Sequence, residues 1–473
     1  MSLLGLELSD AGIMAAATDP VRLLQIDGED RESPGFALPE KNRLLVGKAA
    51  ESKARLHPRR FQNFFWDRLT QEPLKQPSPY ARNHAEMAFA HLAKIWDQIK
   101  RHGNEMIVAV PGYWDRNQLG LLLGIAEALS IPLKGIVAQP VAASSWPSQE
   151  RSLLHLDIHL HRVEIAFLEQ GDRLDLKDTV TIEGKGLHDL YRAWVEAIAG
   201  EFVHTTRYDP LHEAVSEQEL YNRLPEVLVV LRHNPFVMFE MTAGHESYRI
   251  SLSRDLFTKK SENLFKEIDR QIGSIRKRYG REDQPLTLQL TQRIGRLPGC
   301  REMTDNMTDV RVIALEPGSG AIGVLNLKDE ISKQKAQRGV PFLTSRQWQG
   351  TLPEAGISSS RPPVTHDLEP PTHLLYRNKA YPISDRPLII GRGRRQDGVN
   401  VTMVGAPSDV SSRHCSIQRR SKEVVLTDYS THGTFVDDIK VSGTIVLKLG
   451  QIIRVGTPGE KFQLIACLGT DET

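Results

Sequence analysis

Two short stretches hold residue types that do chemistry. In HLDIHLHRVEIAFLE, from His155 to Glu169, the residues His155, Asp157, His159 and His161 stand two apart. A strand would put all four on one face. Three imidazoles and a carboxylate are metal-ligand types. Same-face neighbours in a strand lie about 7 Å apart, however, and a turn is predicted inside the row, so no metal site is expected. The second stretch, Ser411-Ser412-Arg413-His414, sets a hydroxyl three residues before an imidazole. No nucleophile elbow or third triad member accompanies it, so the pair does not read as a hydrolase and no catalytic residue is assigned.

The elements that position these residues must come from a chain of 473 residues, enough for two or three domains. With 40% hydrophobic and 25% charged residues and a net charge of +1, the composition is that of an ordinary soluble protein. No charge excess points to nucleic acid or to a membrane surface. From Thr372 onward there are 14 Lys and Arg against 10 Asp and Glu, a modestly basic end. Cys300, Cys415 and Cys467 are odd in number and far apart, which suits neither a disulfide framework nor a zinc ribbon. No apolar run approaches the roughly 20 residues of a membrane span. MSLLGLELSDAG lacks the basic and long apolar regions of a signal peptide. The expectation is a cytoplasmic protein with no nucleic-acid partner and no membrane insertion.

Two strand–turn–strand units start near residues 3 and 153. The first runs from Leu4, breaks at Ser9-Asp10-Ala11-Gly12 and turns again at Thr18-Asp19-Pro20. In the second, apolar residues occupy even positions to Leu160 and odd ones from Val163, which places a tight turn near His161-Arg162. Each unit carries an acid late in its first strand, Glu7 and Asp157, so the pattern is an internal repeat of domain size. MIVAVPGYW reads as a strand, Asp115 as the N-cap of the helix RNQLGLLLGIAEAL, and Leu252 to Tyr279 as an amphipathic helical region.

The segments VGKAAESKARLHPRRFQNFFWDRL, VAVPGYWDRNQLGLLLGIAEALSIPLKGIVAQPVAAS, ISLSRDLFTKKSENLF, IGRLPG and GAIGVLN follow one another along the chain. From about Leu3 to Asp329 they resemble the actin/heat-shock superfamily, closest to the ATPase domain of DnaK-type chaperones. The resemblance implies an α/β actin-like fold of two similar halves over residues 1–330. In that family, glycine-rich loops in the two strand–turn–strand units cradle the phosphates of ATP. Here the loops read Asp157-Ile158-His159-Leu160-His161-Arg162 and Glu7-Leu8-Ser9-Asp10-Ala11. Asp67 replaces the family's lysine, Gln139 its glutamate, and Thr291-Gln292 its paired glycines. Of the acids that organise magnesium and water, Asp157 is kept and Glu7 substitutes in part. The resemblance therefore implies a pseudo-ATPase with no cofactor. Its residual nucleotide pocket would comprise Glu7, Asp10, Asp157, His159, His161 and Arg162, the last three available to an anion. Nucleotide binding without hydrolysis stays open.

Residues 331–371 lose all periodicity and include GTLPEAGISSSRPPVTHDLEPPTH, so a flexible or extended linker is expected. Nine short, turn-bounded β-rich segments follow over residues 372–473, the pattern of a β-sandwich. Within it, Gly391-Arg392, Ser411-Ser412-Arg413-His414 and Asp428 to Val436 (DYSTHGTFV) resemble the forkhead-associated (FHA) domain. That resemblance implies phosphothreonine binding, in which a dianion meets a cation and several donors on a rigid scaffold. Arg392 would contact the phosphate and Ser411 would donate its hydroxyl. Ser412 and Arg413 share that loop, Thr431 shapes the pocket beside the phosphothreonine methyl, and His432 stands where the family has Asn. Gly391, His414 and Gly433 read as structural.

The reading that results is a phosphothreonine-dependent adaptor that joins an FHA reader to a silent chaperone-like domain. Its partner would be a phosphothreonine-containing protein, with an active chaperone-like or actin-like protein as a second partner by analogy of fold. The alternative is an ATP-binding chaperone-like ATPase or switch localised by its FHA domain.

Overall fold

A computed structural model describes residues 2–144, 150–244, 246–334, 339–347, 371–376, 379–393, 399–403, 410–420, 423–431, 433–436, 439–441, 443–447, 451–455 and 460–465. The chain divides into two compact units, Met1–Ala355 and Gly356–Thr473.

The N-terminal unit is built on two sheets of the same plan. In the first, β1 (Leu3–Glu7), β2 (Met14–Thr18) and β3 (Val21–Leu23) form an antiparallel meander, while β4 (Glu105–Val110) and β5 (Leu133–Ala138) extend it in parallel from β1. In the second, β6 (Ser152–Ile158), β7 (Arg162–Gln170) and β8 (Arg173–Glu183) make the meander, and β9 (Leu286–Leu290) and β10 (Val310–Ala314) the parallel side. The orders 5-4-1-2-3 and 10-9-6-7-8 are identical in sense. Both central strands are wholly buried and mostly apolar, as strands covered on both faces tend to be, with Glu7, His155 and Asp157 among the polar exceptions.

Helices cover the sheets where the sequence places caps. Asn83 accepts the Glu86 amide at the start of α1 (His84–Ile99), at 2.9 Å. Asp115 and Gln118 cap α2 (Arg116–Ala128) reciprocally. On the second sheet, α3 (Leu187–Thr206), α4 (Ala214–His233) and α5 (Arg254–Arg278) bury Trp194, Phe202, Leu224, Phe257 and Ile268 in one core. A separate core unites Leu3, Ile107 and Ala109 of the first sheet with Leu153 and Leu168 of the second around α6 (Ser319–Leu325). That helix approaches closely because Gly5 has no side chain: a Cβ there would lie 2.0 Å from the Ala321 carbonyl oxygen.

Part of the segment expected as a linker from 331 onward forms regular structure instead. A helix, Lys328–Gln334, is followed by strands Phe342–Leu343, paired with β5, and Ser345–Gln347, paired with β8. Arg346 is fully buried, with its guanidinium on the Val141 and Ala142 carbonyls. Strands of two and three residues carry no period, so backbone pairing holds a segment that composition alone reads as tether. The linker threonines Thr351 and Thr365 lie outside the described residues.

The C-terminal unit is a sandwich. Its first sheet holds β11 (His373–Tyr376), β12 (Lys379–Pro382), β17 (Thr434–Val436), β18 (Ile439–Lys440), β20 (Ile452–Val455) and β21 (Glu460–Ile465). Its second holds β13 (Leu388–Gly391), β14 (Val399–Thr402), β15 (Cys415–Arg420), β16 (Glu423–Asp428) and β19 (Thr444–Leu447). Inward-facing Leu388, Ile390, Ile417 and Leu426 meet Leu374, Ile453, Phe462 and Leu464 between the sheets. Two of the eleven strands among the described residues, β12 and β18, are not resolved as separate segments by the sequence: β12 follows β11 after two residues, and β18 has only two residues. Among the described residues no helix is long and apolar enough to cross a membrane.

Candidate functional site

Three loops at one end of the sandwich converge. The turn after β13 is tied to the loop before β15: Arg392 and Gly393 donate their amides to the Ser411 and Ser412 carbonyls, both at 3.2 Å. Gly391 makes this approach feasible, since a Cβ there would come within 2.3 Å of the Ser412 carbonyl oxygen. The third loop joins through His414. Its Nδ1 accepts the Ser411 amide (3.2 Å), and its Nε2–H donates to the Gly433 carbonyl (3.2 Å). The imidazole is therefore a buried brace between loops and no base for the Ser411 hydroxyl. Gly433, at φ 100°, takes a conformation that disfavours a side chain.

The third loop is rigid for local reasons. Asp428 accepts from the Ser430 amide (3.0 Å) and the Thr434 hydroxyl (2.7 Å), and Ser430 Oγ accepts from the Gly433 amide (2.7 Å). Partial burial opposes ionisation of Asp428, but these bonds hold its carboxyl below the usual range. The loop thus sets Thr431 Oγ1 3.5 Å from Ser411 Oγ. Arg413 lies over the Tyr429 ring at 3.9 Å, and its Nε has no hydrogen-bond partner among the described residues. Arg392 is exposed, and its guanidinium makes no ion pair among the described residues. Ser411, Arg413, Thr431 and the Arg392 backbone are thus brought together, with Ser412 exposed on the same loop. His432 lies outside the described residues. Tyr429, to which the sequence assigns no role, packs beneath Arg413 in this cluster. An aromatic two residues before Thr431 was the available signal.

The N-terminal cleft has a different character. Glu7 and Asp157, at corresponding ends of β1 and β6, are both buried. Between them lies the Arg293 guanidinium, 2.9 Å from Glu7, 3.2 Å from Asp157, 3.2 Å from Glu32 and 2.8 Å from the Gly12 carbonyl. Gln139 donates to Asp157 (3.0 Å) and Glu7 (3.4 Å), the Thr291 hydroxyl to Asp157, and the Gly320 amide to Glu7 (2.9 Å). Burial opposes ionisation of Asp157, yet Arg293 and His159 hold its carboxyl below the usual range, and burial of Arg293 is outweighed by the same acids, which raise it.

The two turns that the resemblance set beside phosphates bond to each other. Asp10 accepts the Leu160 amide at 2.9 Å. His159 lies 3.1 Å from Glu164, 3.0 Å from Ser9 and 3.6 Å from Asp10. Burial alone would lower its pKa, but hydrogen bonds to Asp10 and Glu164 push it up to about 10. With both nitrogens protonated, His159 is no base, and Ser9–His159–Glu164 is not a hydrolytic triad. His161 bonds to the Asn63 carbonyl (3.0 Å) and stacks on Phe64, while Arg162 pairs with Asp67 at 2.6 Å. The six cleft residues expected to face a ligand are therefore partners of this chain's own side chains. His155, Asp157 and His159 share one buried, charged neighbourhood, while His161 turns to Asn63 and Phe64. Among the described residues no group of three or more His, Cys, Asp or Glu is arranged to hold a metal ion. The sequence reading missed Arg293. A buried pair of acids needs a nearby cation, but spacing does not say which one.

Comparison with known families finds an FHA domain at residues 388–456, which spans the three converging loops. No curated protein matches the chain.

Proposed function

We propose that this protein is a phosphothreonine-dependent adaptor whose FHA domain docks a partner phosphorylated by a Ser/Thr kinase. The observation that carries the reading is the convergence of Arg392, Ser411, Arg413 and Thr431 on an FHA scaffold. Two guanidiniums that pair with no carboxylate among the described residues, and two hydroxyls, offer a dianion the charge-assisted donors it needs. Ser412 completes the loop, and His432 would hold the peptide backbone. The N-terminal unit serves in this reading as a second docking surface of actin/chaperone-like fold. Its two sheets of identical strand order support that fold, and its internally paired cleft supports a silent ATPase. A partner of similar fold, chaperone-like or actin-like, follows by analogy. Cytoplasmic placement belongs to the same reading, since Cys300 and Cys415 are buried free thiols, the state a reducing compartment maintains. The test is titration of the full chain with fluorescent phosphothreonine and unphosphorylated peptide libraries. Saturable binding of the phosphorylated library alone supports the reading; equal binding of both overturns it.

A second reading, a nucleotide-binding switch, has one observation in its favour. A cavity of about 440 Å³ lies in the N-terminal unit, lined by Phe36, Tyr191, Tyr221, Leu297, Arg232 and Arg296 among others. Micromolar ATP binding with turnover that falls in Asp157→Asn would establish that reading instead.

A further inference from the structure

We propose that Arg293 is a built-in cation that keeps the two halves of the N-terminal unit closed without any bound ligand. Two buried carboxylates facing one another repel and cost far more than a solvated pair unless a cation neutralises them. A diffusible ion would do this only at sufficient concentration. Arg293 is tethered to the end of β9, so its effective concentration is fixed by the fold. Its reach is what makes it a clasp. The residue belongs to the second half, yet Glu7, Gly12 and Glu32 of the first half accept three of its four bonds, and Asp157 of its own half accepts the fourth.

One further bond crosses the same seam. The Leu160 amide of the second half donates to the buried Asp10 of the first. The Gly320 amide, on α6 packed against β1, donates to Glu7 and holds that acid from the first sheet's own side. The guanidinium also occupies the space between Glu7 and Asp157, so a divalent cation finds no unpaired acids there. Closure is then a permanent property of the chain. This inference does not depend on the phosphothreonine reading, and its test uses no phosphopeptide.

The experiment is hydrogen exchange on the full chain, read at the Leu160 amide. In the wild-type protein it should be protected in the absence of nucleotide and divalent ions, and millimolar Mg²⁺ or Ca²⁺ should not change it. In Arg293→Ala, which strands two buried acids, the Leu160 amide should exchange about 100-fold faster or more. Should that variant fail to fold, Arg293→Lys keeps a charge but cannot span the four acceptors, and the Leu160 amide should exchange about tenfold faster. A wild-type Leu160 amide that exchanges freely until a ligand is added would overturn the proposal. So would wild-type protection of that amide in either folded variant.

Discussion

Mild alkali should weaken the N-terminal unit through one side chain, His159. Its ring is surrounded by Ser9, Asp10, Glu164, Asp157 and the edge of Tyr113, and is fully buried. Its pKa is about 10 in the folded chain, against roughly 6.5 when unfolded. A folded value above the unfolded one means the stabilisation is complete below about pH 6.5 and is lost as pH rises toward 10. The whole shift is worth up to about 5 kcal/mol, so going from about pH 7 to 8.5 should remove about 2 kcal/mol. Other resolved groups change little in this window. Burial holds His91 at about 3 and His188 at about 4, so both change stability on the acid side. The Cys300 and Cys415 thiols, pushed up to about 12 by burial, lower stability as pH passes their unfolded value of about 8.5, by about 0.4 kcal/mol each at the top of the window. The assay is urea unfolding followed by tryptophan fluorescence, because all six tryptophans precede residue 356 and report the N-terminal unit alone. His159→Gln should be less stable at pH 7 and nearly flat across the window. A flat wild-type profile, or an equal slope in the variant, would refute the reasoning.

Two substitutions test the loop geometry of the FHA domain. Gly391→Ala forces a methyl to within 2.3 Å of the Ser412 carbonyl and 2.9 Å of the Ser411 carbonyl, backbone atoms that yield only by shifting the loop. Phosphopeptide affinity should fall about tenfold with the β circular dichroism signal kept; unchanged affinity would show that the loop does not bind. Tyr429→Ala removes the ring beneath Arg413, and phosphopeptide affinity measured by fluorescence anisotropy should drop about two- to fivefold, whereas Tyr429→Phe should retain it.

Local signals in the sequence were legible where one segment suffices to specify an element. Asp115 announced its helix because the capping bond spans three residues, and the parity change after Leu160 marked the turn between β6 and β7. The FHA loops were readable because each needs a particular small or charged residue at a short spacing. The clasp was not, since Arg293 meets Glu7 across 286 residues and no local pattern records a pairing at that distance. The hairpin Phe236–Ala243 and Glu246–Ser253 went unread for a related reason. Its outward Phe236 and Met238 are 60% and 62% exposed, which blurs the apolar–polar alternation expected of a half-buried strand. The strands at 342–347 escaped because sheet edges add backbone pairing to almost any side chain.

The central claim is most directly tested by calorimetric titration of the full chain with a degenerate phosphothreonine peptide pool, beside Arg392→Ala. The account predicts micromolar binding by the wild-type protein, no binding of unphosphorylated or phosphoserine pools, and a loss of more than about tenfold in the variant, the value of one charge-assisted bond. Equal binding by the folded variant, or no phosphothreonine binding by the wild-type chain, would contradict it.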